Sequence, residues 1–296
     1  MKFTPRLLLG ALLLAGVSDN AKAAIIADDF EVDSSANYTV VANGTDGVAT
    51  FGWDYIAAGI PLAPNSTAGD TGGLMLTANT SQEVEEARTA YNNTAVTASK
   101  FQLSVDVWMN VNIQSSGTTE FGHVGVAGDG VTVNSLFSPI TGSGHFVAFT
   151  GEGGSSSDFR HSTPTTLAVP SGDPSYLNST NTTNATGDTY QAIFTNPPYE
   201  FAGSPGNAWA TLTITAVAGQ KITYAFNGTP IIRTDFDGSD GNLVSLGLGD
   251  LFTSIAPPGT QFTVYDNLTV SAIPEPASVG LSLLALAGLA AARRRR

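Results

Sequence analysis

The chain has no cysteine, which removes disulfides, thiol catalysis, iron–sulfur clusters and Cys-ligated zinc together. Charge is scarce as well. Only 12% of residues are charged, and the 12 Lys and Arg are outnumbered by 25 Asp and Glu, for a formal net charge of −13. Phosphate neutralisation needs clustered Lys and Arg, so nucleic acid is excluded as a partner. What is abundant is turn and strand chemistry: Gly reaches 32 of 296 residues, Thr and Asn are frequent, and hydrophobic residues make up 42%. That composition supports a sizeable core and argues against a helical bundle or coiled coil.

The two ends read as addresses. Residues 1–23 have a charged start at Lys2 and Arg6, an apolar run from Leu7 to Val17, and the small-residue pattern Ala21-Lys22-Ala23 before Ala24. This is the form of a secretory signal peptide cut by signal peptidase between Ala23 and Ala24. At the other end, Ile273-Pro274-Glu275-Pro276 precedes sixteen uncharged residues, Ala277 to Ala292, and then Arg293, Arg294, Arg295 and Arg296. The prolines stop a preceding strand, the apolar stretch suits a short transmembrane helix, and the arginines favour the cytoplasmic side. Sixteen residues fall short of the ~20 of a typical span, which suits transient membrane anchoring.

The order of Pro-Glu-Pro, apolar helix and terminal Arg cluster resembles the PEP-CTERM sorting signal of Gram-negative bacteria. That resemblance covers residues 273–296 and implies recognition by a membrane protease, an exosortase, that cuts near the motif. It further implies delivery to the outer surface or an extracellular matrix, usually in organisms that make exopolysaccharide. An ordinary C-terminal membrane tail is the alternative reading.

Removing both ends sharpens the charge. Between Ala24 and Ala272 the cations are Arg88, Lys100, Arg160, Lys221 and Arg233, set against 23 carboxylates, so the body stands near −18. Such a surface favours divalent cations or neutral glycans over anionic polymers. Excess charge of one sign also serves solubility alone.

The body, residues 24–272, reads as strands. Phe101 to Ile113 alternates apolar and polar residues strictly, the period of a half-buried strand. Shorter patterns run from Ile26 to Val32, Tyr38 to Val41, Gly73 to Thr77, Glu120 to Val126, His145 to Phe149, Tyr190 to Thr195, Trp209 to Val217, Lys221 to Phe226, Leu243 to Leu248 and Gln261 to Val270. Asn227-Gly228 is a hairpin turn signal. Ser155 to Asp188 reads as a low-complexity loop, and Glu83 to Arg88 as the start of a short helix. The expectation is all-β, a single antiparallel two-sheet sandwich.

The order of the pieces resembles a concanavalin A-like, laminin G-type jelly roll. The resemblance rests on Asp28-Asp29-Phe30-Glu31 in the first strand, the hairpin from Trp209 to Gly228, and Tyr265-Asp266-Asn267-Leu268 in the last. Placing the first strand beside the last brings the acidic segments together. Many such modules hold a structural Ca2+ near their termini, and Asp28, Asp29 and Asp266 resemble its ligands. From the residues themselves, strict alternation puts Asp266 on one face with Phe262, Val264, Leu268 and Val270, an inward carboxylate that needs a metal or hydrogen-bond donors. Ca2+ takes oxygen ligands, and backbone donors are the alternative.

Glycan association needs exposed aromatics and a few polar groups. Trp53, Trp108 and Trp209 are the candidate ligand-binding residues, with Tyr55, Tyr176 and Tyr199 behind them. Trp108 stands on the polar side of its strand, where it either meets a ligand or packs under a further layer. Catalysis has less support. Glu83-Val84-Glu85 and Asp235-Phe236-Asp237 have the alternate spacing of glycosidase carboxylates but lie outside the convincing strands. His123, His145 and His161 have no metal-ligand spacing. Asp235 to Gly241 is oxygen-rich but lacks the EF-hand ending. The ten Asn-x-Ser/Thr sequons follow from composition in a bacterial setting. The sequence therefore points to an exported, non-catalytic surface or matrix protein that associates with exopolysaccharide. A glycan hydrolase or lyase and a purely structural adhesin are the alternatives.

Overall fold

Strict alternation from Phe101 onward becomes strand β6 (Lys100–Asn110), whose odd-numbered residues point into a core and whose even-numbered ones point out. In a computed structural model of the chain, residues 24–111, 120–136, 140–151, 159–177, 189–250, 252 and 260–274 are described. The signal-peptide residues, including Ala21 and Ala23, and the sorting motif from Glu275 to Arg296 lie outside them. Ala24, Ile273 and Pro274 lie within.

Every strand pair is antiparallel. The larger sheet holds β1 (Ala24–Asp28), β3 (Ala49–Asp54), β4 (Gly72–Leu76), β6, β10 (Trp209–Val217), β11 (Gln220–Phe226), β12 (Thr229–Phe236) and β14 (Phe262–Ala272). Its order is β12-β11-β10-β6-β14-β4-β3, with β1 beside the second half of β14. The smaller sheet runs β2 (Tyr38–Ala42), β5 (Glu86–Asn92), β13 (Leu243–Asp250), β7 (Glu120–Gly128), β8 (His145–Thr150), β9 (Phe159–Ser162). The protein is an all-β, two-sheet sandwich, and the first strand lies beside the last as expected, with Asp28 opposite Leu268.

The core fills the space between the sheets. Leu103, Val105 and Val107 from β6, Leu212 and Ile214 from β10, and Val124, Val147 and Leu246 from the smaller sheet are all sealed from solvent. Burying each such side chain stabilises the fold by roughly 1.5–3 kcal/mol. The β11–β12 turn has positive φ at both Asn227 (48°) and Gly228 (79°), the twist-matched geometry that the Asn-Gly pair anticipates.

Four expectations are corrected. Tyr190 to Thr195 is not a strand: Thr189–Ile193 is a short helix, α1. Tyr190 and Phe194 come from the same side of the turn, and Tyr190 stacks on Phe159 at 4.1 Å between ring centroids. Glu83 to Arg88 starts no helix and leads into β5. The presumed loop from Ser155 contains β9. The fourth is Asp266, treated with the site.

Candidate functional site

The outward face of the larger sheet carries a second apolar cluster. Trp108 on β6 lies in register with Trp209 on β10 and with Val264 on β14. The segment from Tyr55 to Thr71 crosses above them, so Trp108 points outward yet is only 7% exposed. Of the two readings open for Trp108, the covered one holds. Tyr55, Ile60, Ala63 and Phe262 complete the cluster, with Trp53 and Trp209 half-buried at its margin. The rings meet edge to face: Trp108 on Trp209 at 5.8 Å, Tyr55 on Trp209 at 5.3 Å, Trp53 on Phe262 at 5.3 Å. Trp209 donates its indole N–H to the Pro61 carbonyl at 2.6 Å. The three tryptophans nominated from the sequence therefore meet in one place, with Ile56 and Leu62 exposed on the crossing segment.

Two carboxylates hold that segment down. Strand β14 slips register between Asp266 and Thr269, with Asn267 at a φ of 53°. This bulge reverses the face of every residue after it. Phe262, Val264 and Asp266 thus point outward while Leu268 and Val270 join the main core, which corrects the single face inferred from strict alternation. Asp266 stands opposite Asp106 of β6, the two being 1% and 0% exposed. Asp106 accepts hydrogen bonds from Asn65 N–H (3.0 Å), Asn65 Nδ2 (2.8 Å), Thr211 Oγ1 (2.6 Å) and Asn267 Nδ2 (3.1 Å). Asp266 accepts from Ser66 Oγ (2.8 Å), Tyr55 hydroxyl (3.0 Å) and Asn267 N–H (2.6 Å). Among the described residues neither has a cationic ion-pair partner. Burial raises the Asp266 carboxyl to about 6, against hydrogen bonds from Ser66, Tyr55 and Asn267 that lower it.

The proposed Ca2+ ligands are placed differently. Asp28 shares the inward side with Leu268 and accepts from Phe30 N–H (2.9 Å) and the Tyr38 hydroxyl (3.0 Å). Asp29 is exposed and accepts from Glu31 N–H at 3.2 Å. Asp28 and Asp29 do line a recess of about 370 Å3 with Asn65, Ser104 and Asn267, but Asp28 and Asp266 face opposite sides of the sheet. Among the described residues no three His, Asp or Glu side chains are placed to hold a metal ion.

A second cavity, also about 370 Å3, opens along one side of the sandwich. Here the edge strands β9 and β12 come near each other, and residues 163–177 cross between them: Tyr176 bridges to Ile232, and Arg233 N–H donates to the Ser175 carbonyl at 2.8 Å. His145 and His161, on inward positions of β8 and β9, line the cavity with Asp173, Asp237 and Asp240. His145 Nε2 lies 3.6 Å from Asp240 Oδ2, and His161 Nε2 lies 2.7 Å from Ser175 Oγ. Burial lowers both imidazoles, that of His161 to about 4, so both are neutral at neutral pH. His123 is elsewhere in the smaller sheet, fully buried and likewise lowered to about 3.

The Ser175–His161 contact lacks the third element of a nucleophile relay. His161 Nδ1 has no hydrogen-bond partner, and Asp173 instead accepts the Ser175 N–H at 2.8 Å. A base lowered to about 4 is also a poor proton acceptor for a hydroxyl. Glu83 and Glu85 are exposed ahead of β5, and Asp235 to Gly241 forms the end of β12 and its following turn. Sequence reasoning missed this cavity because His161 fell in a presumed loop. Parity offered one signal: His145 shares a face with Val147 and Phe149.

No protein-family model matches the chain, and no curated protein sequence does. Among solved structures, a Bacillus subtilis protein of unknown function with a galectin-like fold aligns at 12% identity over 84% of this chain and 96% of that one, TM-score 0.41. The exoplasmic/lumenal domain of VIP36 in its Ca2+/Man-bound form aligns at 9% over 80% and 84%, TM-score 0.42. A legume lectin-like domain from Entamoeba histolytica aligns at 10% over 85% and 99%, TM-score 0.42. Each is a distant likeness, and no ligand, metal or activity passes from it to this chain.

Proposed function

We propose that this chain is an exported, non-catalytic glycan-associating protein that presents Trp53 and Trp209 on the outer face of its larger sheet. The observation that carries the reading is the convergence of Trp53, Trp108 and Trp209 in one aromatic cluster whose outer members keep ring surface in solvent. A sugar ring offers an apolar C–H face to such a ring. Trp108 and Tyr55 brace the platform from below. The excess of carboxylates directs the choice toward neutral or weakly charged glycans, such as an exopolysaccharide.

The same proposal includes the route. Residues 1–23 direct export and are removed by signal peptidase. Residues 273–296 hold the protein transiently in the inner membrane until an exosortase releases it to the outer surface or matrix of a Gram-negative bacterium. A concanavalin A-like ancestry for the sandwich fits this role. A Ca2+ shared by Asp28, Asp29 and Asp266 is not part of it, because those side chains do not converge.

Affinity electrophoresis in gels containing neutral glucans or mannans tests the binding. Retardation of the protein, lost at least tenfold in Trp53→Ala and Trp209→Ala, is expected. No retardation by any glycan, or equal retardation of the variants, overturns it. Intact-mass measurement on protein from its native host tests the route: a C-terminus near Pro274–Pro276 is expected, and retention of Arg293–Arg296 overturns it.

A further inference from the structure

The lateral cavity between β9 and β12 has no part in the tryptophan platform, and its chemistry is different. Among the described residues its lining contains no Lys or Arg, while Asp173, Asp235, Asp237 and Asp240 all border it. The nearby Lys221 is committed to Asp235, Nζ to Oδ1 at 2.6 Å, on the exposed surface. Hydrogen bonds from Ser175 and Ser239 hold Asp173 and Asp237 below the ordinary carboxylate range, so both are ionised at neutral pH. The two imidazoles, 4% and 1% exposed, are neutral there and leave that charge uncompensated.

Those imidazoles also carry unused polar capacity. Nδ1 of His145 and Nδ1 of His161 are both buried without a hydrogen-bond partner. Each ring reaches the cavity lining, and a buried polar group left without a partner is destabilising. The rest of the wall alternates hydroxyls with apolar surface: Thr163, Thr166 and Thr234 against Pro164, Val169 and Pro170. At about 370 Å3 the space falls within the range of small-molecule sites and far exceeds a metal ion. Among the described residues no three side chains there are arranged as metal ligands.

We propose that this cavity binds a protonated amino sugar, its ammonium group facing Asp237 and Asp240 and its hydroxyls meeting the threonines and the two histidines. A carboxylate pair recognises an ammonium group by charge and by accepting its hydrogens. Hydroxyl and neutral imidazole groups supply the mixed donors and acceptors that a polyhydroxyl ring requires. The proposal does not rest on the tryptophan platform.

Isothermal titration of the purified protein near pH 6.5 with glucosamine, N-acetylglucosamine and glucose tests it. Glucosamine is expected to bind at least tenfold more tightly than either other sugar, since N-acetylation removes the charge without changing the ring. Asp237→Asn and Asp240→Asn are expected to weaken glucosamine at least tenfold. Both positions lie outside the core, so an unchanged melting temperature checks that the variants are folded. Trp53→Ala is expected to leave this affinity unchanged, which separates failure here from failure of the platform. Equal binding of the three sugars, no binding of glucosamine, or displacement of glucosamine by stoichiometric Ca2+ would each overturn the proposal.

Discussion

Asp106 and Asp266 face each other across β6 and β14, both closed to solvent, and every hydrogen bond described for them comes from a neutral donor. Six of the seven donors come from Tyr55, Asn65, Ser66 and Asn267, the first three on the segment that roofs the tryptophan cluster. The carboxylates therefore act as a clasp between the sheet and its cover.

The clasp makes stability depend on pH. Asp266 is raised by burial to about 6 in the folded protein, and Asp250, buried at the end of β13, is raised to about 6 in the same way. Both exceed the ordinary carboxylate value, so the folded state holds their protons more tightly than the unfolded state. Their contribution is complete below about pH 4 and is lost as pH rises through about 6, on the order of 2 kcal/mol each. Asp46 runs the other way: hydrogen bonds from Ser81, Thr80 and Gln82 overcome burial and hold it at about 2, so its contribution is lost as pH falls through that value. The buried His123, His145 and His161 oppose the two carboxyls, because imidazoles held neutral in the folded state cost stability as pH falls below about 6.5. Asp250→Asn with Asp266→Asn should therefore make the melting temperature climb more steeply between pH 4 and 7, and an unaltered slope would contradict the assignment.

Loosening the clasp should uncover indole. Ser66→Ala removes the 2.8 Å bond to Asp266 and the acceptor used by Asn267 Nδ2 at 2.8 Å. A loss of about 1–3 kcal/mol is expected in urea titrations. Tryptophan emission should shift to the red in the folded baseline, as Trp108 gains solvent; a blue or unchanged baseline would argue against the cover.

Trp108 and Trp53 should separate packing from display. Trp108→Ala empties the middle of the outer cluster and is expected to cost about 3–5 kcal/mol. Trp53, half-buried at the margin, should cost under about 2 kcal/mol on the same change. Chemical denaturation of the two variants, side by side, checks the order.

The β11–β12 turn offers a backbone test. Gly228 has a φ of 79°, and a Cβ added there would meet no atom within 4 Å. Any loss on Gly228→Ala thus reports backbone strain without a clash. About 1 kcal/mol is expected by denaturant titration.

How much of this was legible follows the strength of local pattern. Alternation in Phe101–Asn110 read directly as β6, because one face is core and the other is not. Strand β5 did not, because Glu86 and Arg88 occupy its inward positions, joined by a 2.7 Å ion pair. At β12, Pro230 follows the turn, neighbouring Ile231 and Ile232 are both buried, and Thr234 takes an inward position, so the alternation is broken. The bulge at Asn267 is one residue long and leaves no trace in composition, yet it decides which side Asp266 faces. The tryptophans were found as residue types. Their meeting depends on pairings between β6, β10 and β14, which sequence spacing does not encode. His161 and Asp173 were lost with the supposed loop, since four residues of β9 are too few to show a period.

The position of β14 has a consequence for how the body is made. It is the last of the described strands to be synthesised, yet it lies inside the larger sheet, with β6 along one side and β4 and β1 along the other. Until it emerges, β6 lacks one neighbour and β1 lacks its pairing partner altogether. A nascent chain therefore cannot close this sheet until β14 is made. Once β14 is in place, Ala24 lies opposite Ser271, so the first and last strands lock each other and the two ends of the body leave from neighbouring points.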